Sequence, residues 1–450
     1  MRIPLISSVL AGGGHGAELF KGTSQAFVLR LVGMAVTYGF NFLVARLFGA
    51  SAMGAFALAT TVVTILGMLS RLGCDRAIVR FIASNASIGS IELAGEQYRL
   101  VLKLLAVLGL TMSLLMFFAS NWIAAGIFDK PGLATVFRIA SPAVLLFSLT
   151  LFNAEALRGL KKIKRFAAIR YVLIYLFAIP ALFVFRSFLE TSGVPVMAFT
   201  VACGFAAMIS LRLAWRAFPA ARSNVNVSLA AILTVSVPML ASNSMGMVIS
   251  WTDVLMLGRF ASEDQVGIYS IAMKLAFLTS VSLNAVNSIS TPKFAEFHMS
   301  GDTGQLATVM RQTTKLLFYT SLPILFVLVA AGKPILVFFG AEFEAGYLAL
   351  VTLVAGQFVS TISGPVGNLL QMNGLERQFL AIVGVCALVN VVMNIVLIPR
   401  FGILGAALAS AFTLSLNNLT CVIVIYKKLG FVSLYLPFVD WFAKSRENRA

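Results

Sequence analysis

The sequence predicts an all-α polytopic membrane protein. It should hold about twelve transmembrane helices, in two six-helix lobes related by a parallel internal repeat around a central cavity. Three observations lead there. Of 450 residues, 59% are hydrophobic and 11% charged, against roughly 25% charged in an average soluble domain. Apolar windows of about 20 residues, each able to cross roughly 30 Å of hydrocarbon, recur along the chain. Lys and Arg collect on alternate loops. With 34 basic and 17 acidic side chains and a mean hydropathy of +0.94, the chain cannot cover a soluble surface. Soluble, disordered and fibrous classes are excluded. The apolar runs are continuous rather than alternating, which argues against an outer-membrane barrel.

Taken in order, residues 1–22 read as a cytoplasmic leader, because their short apolar part stops at Gly12-Gly13-Gly14. The N-lobe, 23–222, carries expected spans at 23–47, 53–73, 101–127, 133–157, 166–187 and 193–215. The C-lobe, 223–428, carries spans at 229–257, 265–290, 313–332, 346–372, 378–398 and 402–426. Residues 429–450 are expected as a cytoplasmic C-terminal tail. With both termini inside, 25 of the 34 Lys and Arg fall on cytoplasmic segments and seven on outer ones, the sense of the positive-inside rule. Topology thus accounts for most of the net +17 and calls for no nucleic-acid partner.

A shift of 213 residues lays 45–59 over 258–272. Arg46 falls on Arg259, Gly54 on Gly267, Phe56 on Tyr269 and, further along, Arg80-Phe81 on Lys293-Phe294. An offset of six passes leaves the two halves in the same orientation, as in transporters whose halves move about a midplane site. Cys74, Cys203, Cys386 and Cys421 lie far apart and His15 and His298 are isolated, so neither a disulfide framework nor a metal site is expected. No phosphate-binding glycine loop or nucleophile elbow occurs, and an enzyme is not expected.

Charges at bilayer depth are costly and mark candidate sites. Arg30 lies about 12 Å into the first helix at 1.5 Å per residue, and Lys274 sits at similar depth in the eighth. With Arg138 they would line a cationic cavity for an anion such as pyrophosphate. Asp253, near the outer end of the seventh helix, is the charge partner within reach of Lys274, and the two could simply pair. Arg138 could snorkel outward, and Glu155 could neutralise Arg158. Asn41, Asn243, Asn284 and Gln357 are candidate sugar contacts, with Asn287, Asn390, Asn394 and Asn417 also near spans; such amides equally often join helices. The run SGPVGNLLQMNG at 363–374 should disrupt its helix. The basic loop RGLKKIKR at 158–165 could hold lipid phosphates or only set topology.

The stretch KGTSQAFVLRLVGMAVTYGFNFLVARLFGASAMGAFALA resembles the polysaccharide transporters and O-antigen flippases of the multidrug/oligosaccharidyl-lipid/polysaccharide (MOP) flippase superfamily. So do LGCDRAIVRFIA (72–83), EALRGLKK (155–162), DVLMLGRFASEDQVGIYSIAMKL (253–275), GKPILVFFGAEFEAG (332–346) and IPRFGILGAALA (398–409). The resemblance covers about 20–428. It implies flipping of an undecaprenyl-pyrophosphate-linked oligosaccharide (an O-antigen, capsule or exopolysaccharide repeat unit) across the bacterial inner membrane by alternating access. Arg30 and Lys274 would be the cavity cations. Arg80 and Lys293 would be contacts at the cytoplasmic entrance or lobe latches. Membrane lipids and a glycan polymerase are the implied partners. No cofactor is expected beyond a coupling ion, Na+ or H+. A lipid II flippase is a neighbouring reading, though those usually have fourteen helices. A cation/drug antiporter would want deep acidic residues, for which Asp253 is the one candidate. A membrane-embedded glycan polymerase or ligase would want a larger outer loop.

Overall fold

The structure, a computed structural model, describes residues 15–188, 190–218 and 228–437, without the side chains of 15–24, 26, 241–246 and 248–250. Most of the expected leader and tail, and the side chain of Asn243, lie outside the described residues. Among the described residues every regular element is helical. The chain divides into two compact units, Met1–Ala241 and Ser242–Ala450.

The first unit holds α1 (His15–Arg71), α2 (Cys74–Ser87), α3 (Ile91–Phe118), α4 (Leu133–Gly159), α5 (Ile163–Phe185), α6 (Gly193–Trp215) and the start of α7 (Leu229–Phe260). Within α1, Gly49 leaves helical geometry at φ 80°, ψ −178°, a pair that only glycine adopts without strain. The break falls where the sequence leaves a gap between spans. Near the other end of the unit, α2 is amphipathic. It buries Cys74, Ala77, Ile78 and Ile82 and exposes Arg76 and Arg80, the spacing of a helix with one apolar face.

The middle of the unit is α4, which the chain fastens with polar bonds that no lipid can supply. Tyr98 donates to Asn153 Oδ1 at 2.8 Å, and Asn153 Nδ2 donates to Ser210 Oγ at 3.2 Å, joining α3, α4 and α6. The ring of Tyr98 stacks on Phe152 and Phe218, with centroids 5.7 and 4.6 Å apart. Arg71 is buried at the end of α1. There Nε donates to Asp75 at 3.2 Å and Nη1 to Ser148 at 3.4 Å. Glu155 pairs with Arg158 at 2.8 Å.

The second unit continues α7 and adds α8 (Glu263–Ala276), α9 (Ser280–Met299), α10 (Thr303–Ala330), α11 (Gly332–Phe339), α12 (Tyr347–Ser363), α13 (Val366–Met372), α14 (Glu376–Phe401) and α15 (Ile403–Leu429). Ser262 caps α8 and Asp302 caps α10, each accepting a hydrogen bond from the backbone three residues on. The expected span 346–372 is two helices. Pro365 has no N–H to donate and Gly364 turns to φ +80°, so α12 stops and α13 starts afresh.

By length and composition, ten helices among the described residues can cross a membrane. One is the 45-residue stretch Phe27–Arg71 that contains the Gly49 break, and another is Glu263–Met299. The units divide within α7, not in the polar segment near residue 222. The early turns of α7 explain this: Ile232 joins the core of the first unit, and Cys74 Sγ donates to Ser236 Oγ at 3.5 Å.

Two left-handed glycines separate backbone strain from crowding. Gly73 (φ +74°) would place a Cβ 2.2 Å from the carbonyl oxygen of Ser236, whereas Gly89 (φ +77°) faces open space. Gly89→Ala should cost about 1–2 kcal/mol, the left-handed penalty alone. Gly73→Ala should cost a further 1–3 kcal/mol or so from overpacking. Thermal unfolding of the two purified variants side by side checks this.

Candidate functional site

The most elaborate polar constellation among the described residues surrounds Asp253, in the second unit. Four elements bring it together. Asp253 on α7 is 0% exposed. Tyr269 on α8 donates its hydroxyl to Asp253 Oδ2 at 2.6 Å, and Ser410 on α15 donates to the same oxygen. Asn394 and Asn390 on α14 direct Nδ2 groups at Oδ1, at 2.8 and 3.4 Å. Helix periodicity places the two amides together, since i and i+4 share a face. Asn394 Nδ2 also approaches Asn390 Oδ1 at 3.1 Å.

Among the described residues, the groups that hydrogen-bond Asp253 are all neutral. Its expected role as charge partner of Lys274 is not among these bonds. One acceptor in the cluster is left over: Asn394 Oδ1 is enclosed and receives no hydrogen bond. A carboxylate, two amide oxygens and two hydroxyls are hard oxygen ligands of the kind that small cations choose. An orphaned acceptor beside a carboxylate also suits a protonated Asp. The arrangement can therefore hold and release a small cation or a proton. It contains no paired nucleophile and base.

A cavity of about 270 Å3 opens onto this carboxylate. Its wall is mostly apolar, with Phe277, Phe379 and Leu414 prominent, and carries polar groups from Gln357, Thr413 and Asn417.

Among the described residues, the first unit shows no equivalent cage. Under the 213-residue shift, Phe40 and Phe56 stand where Asp253 and Tyr269 stand in the second unit. Their rings pack at 5.3 Å, and Phe40 also meets Tyr175 at 5.4 Å. The two positions thus touch in both units. In one unit they make an aromatic contact, in the other a hydrogen bond to an acid.

The remaining expected residues are dispersed. Arg30, half-buried in the first unit, lies over the ring of Tyr171 at 5.7 Å from its centroid. That ring belongs to a π-helical turn, Ala168–Leu173, within α5. α1 approaches it at Gly33, where a Cβ would lie 2.6 Å from Tyr171. Arg138 is exposed, donating to Ser120 at 3.0 Å and Asn121 at 2.9 Å in the turn after α3. Lys274 is half-buried on α8 in the second unit. Arg80 is exposed on α2, and Lys293 is half-buried on α9. Asn41 and Asn284 each donate to their own helix, to Thr37 O at 2.6 Å and Ser280 O at 2.7 Å. Gln357 accepts from Thr279 at 3.2 Å and lines the cavity. In the basic loop, burial and then neighbouring Arg165 lower the pKa of Lys162. Tyr269, Ser410 and Thr413 had not been singled out from sequence. The substitution of Phe56 by Tyr269 across the repeat was the signal available for one of them.

Long apolar helices in two compact units define a polytopic membrane protein. The fold matches the solved "Lipid II flippase MurJ, inward closed conformation" with a TM-score of 0.73 at 14% identity, over 90% of this chain and 87% of that one. It matches an inward-facing "multidrug resistance MATE family transporter of the MOP superfamily" with a TM-score of 0.73 at 14% identity, over 90% and 98%. A family profile described as "Polysaccharide biosynthesis protein" matches residues 43–346, and the chain belongs to that family.

Two relatives from Haloferax volcanii are named as flippases. "Probable low-salt glycan biosynthesis flippase Agl15" is 26% identical over 223 residues, 49% of this chain and 45% of the relative. "Probable flippase AglR" is 29% identical over 181 residues, 38% and 37%. The matched part thus spans less than half the length of either relative. Their names are those of flippases, not of enzymes.

Tyr269→Phe tests the cage. Losing one hydroxyl donor to a buried charged acceptor should cost about 1.5–3 kcal/mol. Thermal unfolding in detergent should show that loss, while Ile88→Val, at a side chain 72% exposed in the first unit, leaves the midpoint nearly unchanged.

Proposed function

We propose that this chain flips an undecaprenyl-pyrophosphate-linked oligosaccharide, an O-antigen, capsule or exopolysaccharide unit, across the bacterial inner membrane. The movement is alternating access, driven by a cation held at Asp253. The observation that carries the reading is that carboxylate, 0% exposed among neutral donors and open to a cavity. A charge kept at bilayer depth at a cost of several kcal/mol serves a function by default, and this one is arranged to exchange an ion. The family match and the flippase names of two relatives support a lipid-linked glycan as cargo.

In this reading both termini are cytoplasmic and twelve passes form two six-helix lobes. The pyrophosphate pairs with Arg30 and Lys274, and Arg80 and Lys293 meet the head group at its entrance. Arg138, bonded into its own turn, braces α4. The polyprenyl chain stays among membrane lipids, and the flipped unit passes to a glycan polymerase. A guanidinium over an aromatic face, as Arg30 is over Tyr171, keeps its hydrogen-bonding edge for an anion. Export of an organic cation is a second reading, favoured by the aromatic rings of Phe277 and Phe379 in the Asp253 cavity. The nature of the cargo separates the two.

Depletion should make a lipid-linked oligosaccharide accumulate on the cytoplasmic face, identifiable by mass spectrometry; unchanged lipid pools together with lost dye or drug efflux would favour the second reading. Arg30→Ala, expressed at wild-type level, should slow flipping by about tenfold or more, the value of one charge-assisted contact. Undiminished complementation by that variant would remove Arg30 from the site.

A further inference from the structure

The cavity beside Asp253 has a feature that its packing does not require. Its wall is apolar apart from one strip on α15, made of Ser410, Thr413 and Asn417, joined by Gln357 from α12. The α15 positions are i, i+3 and i+7, one face of the helix. Seven residues at 1.5 Å make the strip about 10 Å long, from the cage itself to a point two turns away.

Ser410 and Gln357 each bond a neighbouring element, whereas Thr413 bonds only the backbone of its own helix. α12 and α15 meet at small residues: a Cβ on Gly356 would stand 2.8 Å from the Cα of Ala411, the close approach typical of helices packed in lipid. The strip shows a gradient of commitment. Ser410 is bonded to Asp253. Thr413 gives its proton to Ala409 O at 2.7 Å, leaving its oxygen able to accept. Asn417 Oδ1 is enclosed with no hydrogen bond at all. An enclosed amide oxygen without a donor costs about 1–3 kcal/mol, and Leu at this position would avoid that cost. A row of oxygen acceptors in an apolar wall, ending at a carboxylate, suits a small cation moving with part of its water shell.

We propose that this cavity is the access path of the coupling cation, a sodium ion or a proton relayed through water, with Asn417, Thr413 and Ser410 as successive oxygen contacts on the way to Asp253. The proposal rests on the reading of Asp253 as the cation site. With the end of α15 on the cytoplasmic side, Asn417 is the contact nearer the cytoplasm, and Phe379, in the first turn of α14, lines the same cavity. The path therefore serves release into the cell. Asn417 is a positioning residue for the ion, so its loss should change rates more than equilibrium.

Trp251, two residues from Asp253 on α7, supplies the probe once Trp122, Trp215 and Trp441 are replaced by Phe. Full-length protein is mixed rapidly with NaCl against choline chloride, or stepped in pH at constant salt, and Trp251 fluorescence is followed. The parent should respond in one of these arms, and the arm that responds names the ion. Asn417→Leu should keep the amplitude and half-saturation point within about twofold but slow the approach by about tenfold, the effect of one lost polar contact. Asn417→Gln should recover most of the rate, and Asp253→Asn should abolish the response. An Asn417→Leu protein that equilibrates at the parental rate overturns the access path while leaving the cation site standing. An Asp253→Asn protein that responds like its parent, or a parent silent in both arms, overturns the cation site and the path with it.

Discussion

One carboxylate held inside an apolar bundle sets the terms for the second unit. Insertion scales put a central Asp at about 2.5–3.5 kcal/mol against a transmembrane helix. Asp253 meets that cost with donors from three other helices: Tyr269 on α8, Asn390 and Asn394 on α14, and Ser410 on α15. The same bonds that stabilise the charge draw α7, α8, α14 and α15 to one point. A change in its occupancy must alter bonds to all three. Under the proposed cation binding, occupancy and helix packing are linked through a single side chain, as a population shift by differential affinity requires.

The first unit solves the same problem differently. At corresponding positions the rings of Phe40 and Phe56 pack at a tilt of 56°, and the neighbouring rings of Tyr175 and Phe199 continue the cluster. Its polar bonds lie elsewhere, in the Tyr98–Asn153–Ser210 chain and around Arg71, Asp75 and Ser148. These bonds are made within the unit. At these matching positions one unit is braced by aromatic rings and the other by hydrogen bonds to an acid.

Much of the architecture was legible from residues alone, because hydrocarbon thickness and backbone hydrogen bonding leave few choices. The break at Gly364-Pro365 followed from a missing N–H, and the gap near Gly49 from small polar residues between apolar runs. The Glu155–Arg158 pair followed from helical spacing. What periodicity cannot report is which face of one helix meets which face of another. Asp253 was visible as a buried acid, and Asn390 with Asn394 as an amide pair four residues apart. Their convergence with Tyr269 and Ser410, up to 157 positions away, exists only in three dimensions. The partners of Arg71 and Arg138 (Asp75 and Ser148, Ser120 and Asn121) were hidden for the same reason.

The most direct test places the protein in liposomes with a lipid-linked oligosaccharide and measures how fast its sugar becomes accessible on the far side, under an imposed sodium or proton gradient. Flipping by the wild-type protein should accelerate with the gradient of one ion, and Asp253→Asn should lose that dependence while staying folded. Equal, gradient-independent rates in both proteins would contradict a cation held at Asp253 as the driving element.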